Sequence, residues 1–190
     1  MFRTVLPALL VGALLVGPTW ADRNAEHVGD YAVIDNGEGV HRCLFKVDGL
    51  GNLQSVAISH AQLEFDIPGQ VVDRRLHLRI CPVTTPWSAA SVDWTNGWRH
   101  PGGDFDADLS CLARIDLSRT GRKAVFDLTP ILKEWLESGA EFDGFILTTQ
   151  ERDGEGLGGD DLSRLTGLQN ASLTVSYRNV PPRPGRRGRS

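Results

Sequence analysis

At 190 residues the chain is long enough to bury a self-sufficient core, and nothing after the N-terminal stretch is apolar enough to cross a bilayer. Its 20 basic residues fall to 15 once Arg3, Arg183, Arg186, Arg187 and Arg189 at the two ends are set aside, against 24 acidic ones. An acidic body excludes long-range attraction of nucleic acid or other polyanions.

Residues 1–21 read as a secretory signal, with Arg3 at the positive start, an apolar run over 5–16 and small residues around Ala21 for cleavage. The residue directly after the cut is Asp22 and not a cysteine, so no lipoprotein anchor is expected. A polar leader is expected over 22–28. Residues 31–34 form a first short strand ending at Asp35-Asn36-Gly37, a strong turn signal. Residues 41–47 alternate cleanly, and so do 55–67, with a phase slip at Ser59-His60 that a bulge would explain. Further strands are expected over 71–80, 111–117, 124–128, 144–149 and 171–177. Short alternating strands with no βαβ rhythm predict an all-β antiparallel sandwich of one domain, 29–179. One helix interrupts them: Thr129 is its expected N-cap, Pro130 its first turn, Ile131, Leu132, Trp135 and Leu136 its apolar face, and Gly139 its stop. It is expected to cap one end of the core. The tail, 180–190, is basic, has little to bury and is expected to be disordered.

Between the strand ending near Pro82 and the next one lies a loop holding Trp87, Trp94 and Trp98, closed by Pro101-Gly102-Gly103-Asp104. An aromatic ring beside a few polar groups is the usual pattern of a sugar site. Trp94, Asn96, Trp98, Arg99 and His100 offer that mixture on one loop, with Trp98 the expected platform and Trp87 and Trp94 expected chiefly to pack. The same tryptophans would serve equally as a plug over the core. Asp104, Asp106 and Asp108 alternate as at the start of a calcium loop, without the glycine and terminal glutamate of an EF-hand, so a structural Ca²⁺ is the one cofactor they suggest. Acidic residues over 151–167 could add ligands. In an exported chain, three cysteines make one bridge and one odd thiol the natural arithmetic. Cys43 shares the phase of Phe45 and Val47, leaving Cys81–Cys111 as the expected disulfide, with three unpaired thiols as the alternative.

The order of motifs resembles the DNRLRE domain family. HRCLFKVDGL (41–50), SHAQLEFDI (59–67), LRICPVTTPWSAASVDWTN (78–96), PGGDFDAD (101–108), VFDLTPILKEWLESG (125–139), FDGFILTTQE (142–151) and ASLTVSYRN (171–179) are similar to its successive segments. The resemblance covers residues 29–179. It implies a jelly-roll β-sandwich of secreted or surface bacterial proteins, with relatives acting as carbohydrate-binding modules, some on alginate-type polysaccharides.

Catalytic motifs are missing: there is no HExxH, GxSxG or P-loop, no GxGxxG that opens a helix after a strand, and the five histidines have no motif partners. The expected function is therefore a secreted (extracellular or periplasmic), non-catalytic module for a polysaccharide or surface polymer. A structural or interaction domain of the envelope or matrix is the alternative, and a minimal polysaccharide-active enzyme using acidic residues the third reading.

Overall fold

The computed structural model describes residues 21–26, 28–53, 56–67, 78–118, 121–149, 168 and 170–179. All but the last residue of the signal sequence expected over 1–21, the acidic stretch 151–167, the tail 180–190 and most of the strand expected before Leu78 lie outside them. No described helix is long and apolar enough to cross a membrane.

Among the described residues, ten strands form two antiparallel five-stranded sheets. The first has the order β1 (Ala21–Glu26), β10 (Ser172–Asn179), β4 (Val56–Ile67), β8 (Gly121–Asp127), β7 (Arg114–Ser118). The second runs β2 (Val28–Asp35), β3 (His41–Val47), β9 (Phe145–Thr149), β5 (Leu78–Pro82), β6 (Cys111–Leu112). Every second residue of each inner strand faces the other sheet: Leu63 and Phe65 of β4, Phe126 of β8 and Leu173 of β10 meet Phe45 of β3, Ile80 of β5 and Phe145 of β9 in one buried cluster. Phe45 stacks on Phe145 at 5.2 Å between ring centres, and Phe65 on Phe126 at 5.9 Å.

The phase slip in β4 is a bulge. Ser176 of β10 pairs with His60 while the next residue, Tyr177, pairs with Ile58, so Ser59 is left over. Ile58 and Ala61 thereby both stay buried, with Ser59 and His60 exposed between them. The strand expected over 111–117 is two strands in different sheets. The chain crosses at Ala113, whose amide bonds to Leu78 O, so β6 pairs with β5 and β7 with β8.

Three expectations need correction. The polar leader is a strand: Ala21 pairs with Tyr177 and Glu26 with Leu173. An edge strand needs only backbone partners, so it can form from a segment with no apolar alternation. Thr129 is not the N-cap of α1 (Thr129–Ser138) but its first residue, following Leu128. Its amide is taken by Asp127 Oδ1 at 3.0 Å, and its hydroxyl accepts the Ala61 amide at 2.8 Å, tying the helix to β4. Ile131 and Leu132 close the end of the core, and Gly139, at φ 63°, ends the helix. Finally, Cys43, Cys81 and Cys111 are all free thiols. Cys111 pairs with Ile80 and borders the inter-sheet core, whereas Cys81, one residue along β5, belongs to a cluster on the opposite face. The strand's own alternation keeps the two sulfurs on different sides.

Candidate functional site

That opposite face is where the tryptophan loop goes. The loop leaves β5 at Val83, which bridges to Phe105, and the Thr84 amide bonds to Asp104 O at 2.9 Å. Between these ends the chain folds back over the outer surface of the second sheet. Trp87, Val92, Trp94, Trp98 and Phe105 pack against Ile34 of β2, Leu44 of β3, Cys81 of β5 and Ile146 of β9, a second small core.

Strand β3 receives the loop with alternate outward residues. Arg42 places its guanidinium carbon 5.0 Å from the Trp94 ring centre and 5.2 Å from that of Phe105, and donates to Gly102 O at 2.6 Å. Leu44 is fully buried beneath the loop. Lys46 lies 5.0 Å from the Trp87 ring centre and donates to Trp87 O at 3.2 Å. Trp87 is itself buried, its Nε1 donating to Asp143 O at 2.7 Å. Gly102 has φ +90° and donates to Trp94 O at 2.6 Å; a side chain there would run into both Arg42 and Trp94.

Asp104 organises the outer end of the loop. Only 8 % exposed, its carboxylate accepts the Arg99 amide at 2.7 Å, the His100 amide at 3.1 Å, the Thr85 hydroxyl at 2.9 Å and His100 Nδ1 at 3.0 Å. Burial by itself would raise its pKa; the bonds from the Arg99 amide, Thr85 and His100 outweigh it and hold the group at about 2. With both amides pinned from below, the Arg99 and His100 residues face solvent, the His100 side chain 83 % exposed. They border an open cleft of about 470 Å³ with Arg42, Thr84, Asp104 and Phe105.

The residues expected to bind are thus gathered on one loop but do different jobs. Trp94 and Trp98 are half-buried in the second core, and Trp98 Nε1 donates to Asp93 O at 2.8 Å. Asn96 is exposed, but its amide and backbone both serve Asp93, whose carboxylate is drawn down to about 2 chiefly by the Asn96 and Thr95 amides. Arg99 and His100 reach the cleft. Asp104, Asp106 and Asp108 do not converge as a metal set, and no group of three or more potential ligand residues does so among the described residues. Asp104 is saturated by donors, and Asp106 Oδ1 caps the amides of Asp108 and Leu109 at 2.9 and 3.1 Å. Sequence reasoning missed Arg42, Phe105 and Thr85. The one local signal was an aspartate four residues beyond His100, after two glycines. No family model matches the chain, and no curated protein matches it.

Proposed function

We propose that this chain is a secreted, non-catalytic carbohydrate-binding module, a jelly roll of DNRLRE type, that holds a polysaccharide or similar surface polymer in the cleft of Arg42, Arg99, His100 and Phe105. The observation that carries this reading is the clamp of Asp104 on the Arg99 and His100 amides. It fixes the backbone from which two exposed polar side chains project beside Phe105 before any ligand arrives, which lowers the ordering cost of binding. Trp94 and Trp98 act as the footing of the loop. The predicted ligand-binding set is therefore Trp94, Asn96, Trp98, Arg99 and His100, with Arg99 and His100 making the contacts.

A second reading, a structural domain of the envelope or matrix without glycan specificity, is favoured by the packing of all three loop tryptophans against the second sheet. A glycan array separates the two. An Arg99→Ala/His100→Ala protein should lose glycan capture with only the small fall in melting temperature due to the lost His100–Asp104 bond, whereas Trp98→Ala should lower both markedly. If the wild-type chain captures no glycan, the structural reading takes its place.

A further inference from the structure

A second hollow opens across Thr84 from the first, at the end of the sandwich closed by α1. Its volume is about 320 Å³, the low end of the range for small-molecule sites. One wall is aromatic: Trp135 and Phe142 both line it, tilted against each other with centres 4.9 Å apart. Phe142 in turn meets Phe145 edge-on, so the wall is braced from the core. Four carboxylate residues, Asp106, Glu134, Glu141 and Asp143, also line it, beside the hydroxyl residues Thr84 and Ser138, and no lysine or arginine lines the space.

Asp143 is the telling member. It is only 9 % exposed, and its carboxylate makes no hydrogen bond or ion pair among the described residues. Burial, with Glu141 adding to it, raises its pKa, and Lys46 offsets this only in part. Lys46 is meanwhile committed to Trp87. A carboxylate so little exposed, with Glu141 beside it, suits a cation that can also donate hydrogen bonds.

We propose that this hollow is a binding site for an amino sugar, whose protonated amine meets Asp143 and Glu141 while an apolar ring face lies along Trp135 and Phe142. An ammonium suits the carboxylates, and a flat aromatic wall beside an open rim suits a pyranose more than a linear side chain. The site goes beyond the function proposed above and stands if that reading fails, since it uses neither Arg99 nor His100.

Isothermal titration of the full chain with D-glucosamine tests it, using N-acetyl-D-glucosamine as the same ring without the charge and Nα-acetyl-lysinamide as an amine without the ring. Glucosamine should bind saturably, and each comparison compound at least about tenfold more weakly, as expected when a charge pair or a ring contact is removed. Asp143→Asn should lose a similar factor, and because the bond from Trp87 goes to the main chain of residue 143, the fold should survive, which thermal melting checks. Glu141→Gln, at an exposed position, provides a second variant. Glu137→Gln, which makes the same charge change on α1 outside the hollow, should leave the affinity as it was. No saturable heat with glucosamine, equal binding of the acetylated sugar, tighter binding of the lysine amide, or an equal loss with Glu137→Gln would each overturn the proposal.

Discussion

The guanidinium of Arg42 lies over the Trp94 ring at 5.0 Å, and this contact joins the tryptophan loop to the sheet from a strand some fifty positions earlier in the chain. Because the same group also donates to Gly102 O and faces Phe105, one side chain holds both limbs of the loop. Arg42→Ala should therefore cost about 1–3 kcal/mol, combining a cation–π contact with a charged hydrogen bond. Arg42→Lys should recover only part of that, since an ammonium cannot stack flat on one ring while donating past the other. Chemical denaturation of the three proteins measures both differences.

Asp104 makes the outer loop sensitive to acid. Its folded pKa, about 2, is below the ordinary carboxylate value near 3.8. A depressed carboxylate stabilises the fold above its unfolded pKa, and the contribution is lost as pH falls through the folded one. The wild-type protein should thus lose this stability between about pH 4 and pH 2. Asp104→Asn should lower the melting temperature at pH 7, at a cost of about 1–3 kcal/mol for the weakened bonds, and should show a flatter acid limb. Equal acid limbs would mean that Asp104 does not organise the loop.

The parts of this fold that were legible in the sequence are those set by local periodicity. Alternation at 41–47 and 55–67 located β3 and β4, the slip at Ser59 located the bulge, and Gly139 located the end of α1. Pairing across the chain left no such trace. Residues 21–26 form β1 only because the β10 edge offers backbone partners, and Arg42 meets Trp94 only once the loop has folded over the sheet. The cysteines show the same divide: phase correctly placed Cys43 in the core, but counting thiols said nothing of which face Cys81 and Cys111 would take. Similarly, the acidic triplet 104–108 resembled a cation loop because spacing shows where carboxylates sit and not which amides they already hold.

All three thiols should be recovered free after unfolding without reductant, by mass spectrometry of the alkylated chain, and reductant should leave the melting temperature unchanged. In the folded protein they should also react slowly. Burial pushes the Cys43 thiol up to about 12, with the Tyr31 bond opposing it, and burial does the same for Cys111, aided by Cys81. A raised thiol contributes stability below its unfolded pKa that is lost as pH climbs through the folded value. The protein should therefore weaken as pH rises from about 9 towards 12, and a Cys43→Ala variant should weaken less over that window.

The loop tryptophans should rank by what lies beneath them. Trp87 is buried, bonded through Nε1 to Asp143 O and covered by Lys46, so Trp87→Ala removes a core side chain and leaves a buried carbonyl without its donor. A loss of about 3–5 kcal/mol is expected. Trp98 is half-buried and its Nε1 bonds within the loop, to Asp93 O, so water can replace that donor and Trp98→Ala should cost about half as much. Trp135 stands with Trp98: it is half-buried against Phe142, with Nε1 on Ala140 O. Denaturant midpoints for the three alanine variants should place Trp87 well below the other two. If Trp98→Ala were the most damaging, the second core would rest on the outer end of the loop instead of on its start beside β5.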